Sequence, residues 1–239
     1  MSEFEQIGNF QLPPAELLPL LKRYQLLPGI VRELTIDRAI IDIECSNDEQ
    51  IVALKQFYDR EHLTTEDRLQ YWLNCHYLDR QQLAEIAIRQ FKIEKFKQAT
   101  WGDRINAHFL KRKGQLDRIV YSLIRTKELE IAQEIYFRSI AGEQSFTELA
   151  TKYSEGAESQ TGGLIGPVEI SVPHPAIAQA ISTQPLGQVC QPMRLEEWYV
   201  IVRPEKIIPA RLDELMRQRM LDELFQIWLQ EEERVGSKE

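Results

Sequence analysis

A chain of 239 residues, 43% hydrophobic and 28% charged, is long enough for one large domain or two small ones and has the balance of a soluble globular protein. Its net charge of −8 and pI near 5.2 argue against a nucleic-acid backbone or an anionic membrane as the main partner, because both need a cationic face. The three cysteines, Cys45, Cys75 and Cys190, are scattered and odd in number, which argues against a disulfide framework. Cys75-His76 has no second Cys/His pair at zinc-finger spacing, so no metal is expected. The start MSEFEQIGNFQLPP lacks the pattern of a signal peptide, and no window approaches the ~18 apolar residues of a spanning helix. The expected compartment is the cytosol, without membrane insertion.

The first half reads as helix after helix. Pro13-Pro14 lead into one at Ala15, Pro28-Gly29 break the pattern, and it restarts at Ile30. Asn47-Asp48 can cap a helix carrying Ile51, Leu54 and Phe57, and Thr64-Thr65 opens another with Leu69, Trp72 and Leu73 on one face. Asp79 can cap a long helix through Leu83, Ile86, Phe91 and Phe96, interrupted near Trp101-Gly102-Asp103 before Ile105 to Leu110. After Gly114 the texture changes, and Ile119 to Ile124 is short and β-rich. Thr126 can cap a helix through Ile135, and Ser145 can cap one from Phe146 to Tyr153. A polar loop then runs into Gly162-Gly163, a pair that lets the chain turn back onto a sheet edge. A strand at Leu164 to Val168, a helix at Pro175 to Ile181, an extended piece at Gly187 to Cys190 and a strand at Trp198 to Val202 follow. Residues 211–233 are helical again, with a wide apolar stripe that needs a host.

The expected fold class is therefore α+β: an all-helical N-terminal domain (1–114) completed by the C-terminal helix (211–233), and a small mixed sheet flanked by helices (117–204).

The stretch YSEGAESQTGGLIGP at 153–167, with its diglycine and following strand, resembles the signature of the parvulin family of peptidyl-prolyl cis–trans isomerases. The resemblance covers residues 117–204, and the helical segments on either side resemble those of SurA-type chaperones, in which a parvulin module is inserted between helices. It implies an isomerase or folding helper without a cofactor, acting on unfolded or proline-containing polypeptides, with a link to an export machine left open. The family's two strand histidines fall at Tyr121 and Tyr199, and its loop cysteine or aspartate near Gly156, so all three polar groups are absent. Its proline pocket falls at Ile165, Pro173 and Ile177, with His174 beside it.

Rotating an X-Pro bond needs no nucleophile. The amide must lose resonance against a barrier of about 18–20 kcal/mol, and lowering that barrier by about 4 kcal/mol gives roughly a thousandfold. An apolar socket plus the hydroxyls of Tyr121, Tyr199 and Ser154 would supply part of this. Ordinary strand packing is the other reading of the two tyrosines, and a loop or cap hydroxyl that of Ser154. Two functions follow: a weak prolyl isomerase, or an inactive parvulin-like domain that grips extended peptide as a chaperone or adaptor.

Overall fold

The structure, a computed structural model, describes residues 5–7 and 10–236. It divides into two compact units, one formed by residues 1–105 and 217–239, the other by 106–216.

In the first unit, β1 (Glu5–Ile7) and β2 (Phe10–Leu12) pair antiparallel, so this part is not wholly helical as expected. Five helices follow: α1 (Pro14–Arg23), α2 (Leu27–Ala39), α3 (Asn47–Arg60), α4 (Glu66–His76) and α5 (Arg80–Trp101). Pro28-Gly29 does not break the chain. It sits in the first turn of α2, where proline's missing N–H has no intrahelical partner to lose. The cap of α3 is Ser46, whose hydroxyl accepts from the Glu49 amide while the Glu49 carboxylate accepts from the Ser46 amide. Thr65 and Asp79 cap α4 and α5 as the sequence predicts. Phe57, Leu69, Leu73, Leu83 and Ala87 form the buried core where α3, α4 and α5 meet.

The last helix, α10 (Glu214–Gly236), lays Phe225 and Trp228 against α5. Ring centroids are 5.3 Å apart for Phe96–Trp228 and 6.1 Å for Trp101–Phe225. Beside them the Lys97 ammonium is buried and donates to Glu94 and Asp222, each at 2.6 Å. Burial disfavours its charge, but the Asp222 and Glu94 carboxylates outweigh that and hold its pKa above the usual lysine value.

In the second unit, α6 (Ile105–Leu116) leads into β3 (Arg118–Thr126). Helices α7 (Leu129–Ala141) and α8 (Phe146–Tyr153), β4 (Leu164–Glu169), α9 (Pro175–Thr183), β5 (Met193–Leu195) and β6 (Trp198–Ile208) follow. The sheet order is β4-β3-β6-β5 with every pairing antiparallel, where a mixed sheet was expected. A strand lies at 193–195, joined to β6 by a tight turn with Glu196 at φ 53°. The predicted strand at 187–190 is instead irregular chain, held to β6 through the Gly187 and Cys190 amides. Thr126 does not cap α7. Its hydroxyl donates to Glu155 at 2.9 Å.

Strand β3 is central and buried on both sides. Ile119, Tyr121 and Leu123 face α9 with Ile177, Ile181, Val200 and Val202. Ile124 and Ile201 face α7 and α8 with Ile135, Phe146 and Leu149.

Phe225→Ala removes a buried ring between α5 and α10 and is expected to destabilise the first unit by about 3–5 kcal/mol. Urea unfolding followed by far-UV circular dichroism measures the loss.

Candidate functional site

The diglycine turn sets the edge of the site. Gly163 has φ +86°, and a Cβ there would lie 2.9 Å from both the Ala150 Cβ and the Leu123 carbonyl oxygen. Only glycine allows this approach. The Gly163 carbonyl then accepts from the Leu123 amide at 2.9 Å, fastening the loop to β3.

On the α9 side of the sheet, near the C-terminal end of β3, an open cleft of about 210 Å³ is present. Leu123 and Val200 on the strands and Ile177 on α9 form its apolar base. Leu195 and Trp198, from the β5–β6 hairpin, form one wall. Arg125, His174 and Glu196 bring the polar groups. The volume is below the ~300–1,000 Å³ of pockets for drug-sized ligands and suits a single side chain.

The polar side of the cleft is built around one ion pair. Arg125 donates from Nε and Nη2 to the two carboxylate oxygens of Glu158, at 2.9 and 2.7 Å. The Glu158 side chain is 5% exposed and that of Arg125 37%. Ser154 completes the arrangement: its hydroxyl donates to Glu158 Oε1 at 2.6 Å and accepts from the Arg125 amide at 3.1 Å. Burial works against the Glu158 charge. Hydrogen bonds from Ser154, Arg125 and its own backbone outweigh it and hold the carboxyl below its usual range. The guanidinium also lies 5.6 Å from the Trp198 ring centroid, and Lys127 Nζ lies 5.1 Å from it.

Gly156 is explained by this pair. Its backbone is extended, at φ −105°, so conformation does not require glycine. A Cβ there would collide with the Arg125 guanidinium and the Glu158 carboxylate. Two side chains thus fill the space that any larger residue at 156 would need.

Of the residues read from the sequence, Ile177 and His174 reach the cleft. His174 also caps α9, its Nδ1 accepting from the Ala176 amide at 3.2 Å. Tyr121 and Tyr199 do not converge. Tyr121 stands opposite Pro204 and packs in the core on the α9 side, while Tyr199 stands opposite Thr126 and packs on the α7–α8 side. Strand alternation puts their side chains on opposite faces. Burial, then the nearby Glu158 charge, push the Tyr121 pKa up, so its hydroxyl stays neutral. Ser154 is occupied with Glu158 and Arg125. Ile165 pairs with Tyr121 across the sheet and packs on the core, and Pro173 lies in the turn before α9; neither lines the cleft.

Sequence reasoning missed Arg125, Glu158, Leu195 and Trp198. A charged residue directly after the β-rich run, Arg125, is the available signal. Its partner, thirty-three positions on, leaves no spacing to read.

Residues 123–206, all within the second unit, match the family described as Rotamase: PPIC-type PPIASE domain. Comparison with curated proteins gave no match. Among solved structures, the chain is similar to the peptidylprolyl isomerase PrsA of Bacillus cereus, with TM-score 0.53 and 18% identity over 99% of this chain and 91% of that one. PrsA of Bacillus anthracis gives TM-score 0.48 at 18% identity, over 89% of this chain and 97% of that one. The parvulin domain of PpiD from E. coli gives TM-score 0.36 at 25% identity, over 42% of this chain and 97% of that one. The second unit has the fold of a parvulin-type domain, with helical segments before and after it in the chain. The fold is similar to that of PrsA of Bacillus cereus.

Glu158→Gln weakens the pair and is expected to cost about 1–3 kcal/mol near neutral pH. Because the folded carboxyl is held below its unfolded value of about 4.3, the wild-type advantage is complete above that value and lost as pH falls through the lowered one. Urea midpoints of both proteins across pH 2–7, taken as a range of about five units around that transition, test this.

Proposed function

We propose that this chain is a peptidyl-prolyl cis–trans isomerase and folding helper of low activity, taking prolines of unfolded or extended polypeptides into the cleft of its second unit. One observation carries the reading: within the region matching the PPIC-type domain, Leu123, Ile177, Leu195, Trp198 and Val200 form an open apolar socket. A planar amide is more polar than a twisted one, so moving it from water to such a surface favours the twisted form. Low activity follows from Tyr121, Gly156 and Tyr199 standing where the parvulin resemblance puts polar catalytic groups.

That same absence favours a second reading, a peptide-gripping chaperone or adaptor without turnover, including one that holds cargo before export. The proposed compartment is the cytosol, in keeping with three unpaired cysteines. Among the described residues, no helix is long and apolar enough to cross a membrane.

NMR exchange spectroscopy on a short Xaa-Pro peptide separates the readings. The wild type is expected to accelerate exchange, and Trp198→Ala to weaken peptide binding about tenfold by removing one wall. Tyr121→Phe and Tyr199→Phe are expected to leave exchange unchanged, because neither side chain lines the cleft. Absence of acceleration at high protein concentration, with peptide still bound, rejects the enzyme in favour of the gripping role.

A further inference from the structure

We propose that Arg125 is the catalytic donor of this site, with Glu158 as its positioning residue. The inference rests on the isomerase reading and adds the group that acts on the twisting bond. In a planar X-Pro amide the nitrogen lone pair is delocalised into the carbonyl, and the nitrogen accepts no hydrogen bond. As the bond rotates, resonance is lost and the lone pair localises on nitrogen. An N–H aimed there makes a bond in the transition state that neither planar isomer makes, which is the condition for raising the rate rather than only tightening binding.

Three charged or ionisable side chains line the cleft, and the Trp198 indole adds a single neutral N–H. Glu196 is a carboxylate and only accepts. His174 accepts from the Ala176 amide at Nδ1, which leaves one neutral N–H, on Nε2, as the rival donor that the His174→Asn variant tests. Arg125 keeps N–H groups to spare after two of its donors meet Glu158, and 37% of its side chain remains exposed beside the apolar base. It is also held in place. The bidentate carboxylate fixes the plane of the guanidinium, and Ser154 bridges that carboxylate to the Arg125 backbone. A donor fixed before substrate arrives needs little reorganisation during the reaction. The bond rotates without proton transfer, so the permanent positive charge of arginine is no hindrance.

The test uses the full chain and a short peptide containing Phe-Pro with no charged side chain, so that Arg125 has no ionic contact to lose. Arg125→Ala is expected to lower catalysed exchange by about ten- to a hundredfold with the peptide dissociation constant unchanged. Arg125→Gln, which keeps a neutral donor, is expected to fall between. Gly156→Ala removes no functional group, yet its Cβ displaces the guanidinium, and it is expected to lower exchange without weakening binding. Amide chemical shifts of α9 and β6 establish that each variant is folded. Exchange at the wild-type rate in folded Arg125→Ala, or a loss explained wholly by weaker binding, overturns the proposal while leaving the isomerase reading intact. A larger loss from His174→Asn than from Arg125→Ala overturns it in favour of the imidazole. Absence of exchange in the wild type removes both the isomerase reading and this one.

Discussion

Strand β3 is the element on which the second unit depends, because it is buried on both faces and paired on both edges. Successive side chains of a strand point in opposite directions. One set, Ile119, Tyr121 and Leu123, is committed to α9, and the alternate residue Ile124 to α7 and α8. A register slip by one residue would exchange the two sets. The same alternation carries Arg125 out along the α9 side beyond Leu123, where the core ends and the cleft begins. The socket is thus the unfilled continuation of a hydrophobic core, and its polar side is the first charged residue on that face.

Much of the fold was legible because its signals are local. Caps at Thr65, Asp79 and Ser145, the diglycine, and the proline entry to α9 all act within a few residues of where they stand. Errors arose where a distant partner decides the outcome. Residues 187–190 look extended but join β6 through isolated hydrogen bonds, whereas Met193–Leu195, too short to show a period, form the regular ladder. Whether the sheet is mixed or antiparallel depends on pairings that no single segment specifies.

The site divides in the same way. Ile177 and His174 belong to a helix whose start the sequence marks, and both reach the cleft. Tyr121 and Tyr199 are candidates because the resemblance aligns them with the family's strand histidines, but an aligned strand position does not by itself bring a tyrosine hydroxyl to the cleft, and the two side chains pack on opposite faces. The Ser154 hydroxyl, read as a contact for substrate, instead serves Glu158. Arg125 and Glu158 are ordinary charged residues in sequence and become a site only when the loop folds over the end of β3.

Gly156 gives the arrangement a further meaning. Any side chain rooted at that position would enter the volume of the Arg125 guanidinium and the Glu158 carboxylate, so those side-chain ends would have to move to make room. The guanidinium would then lose the plane that the paired carboxylate oxygens give it. The smallest residue in the loop thus works as a spacer, an empty place kept open so that a distant pair of charges can close over the end of the strand.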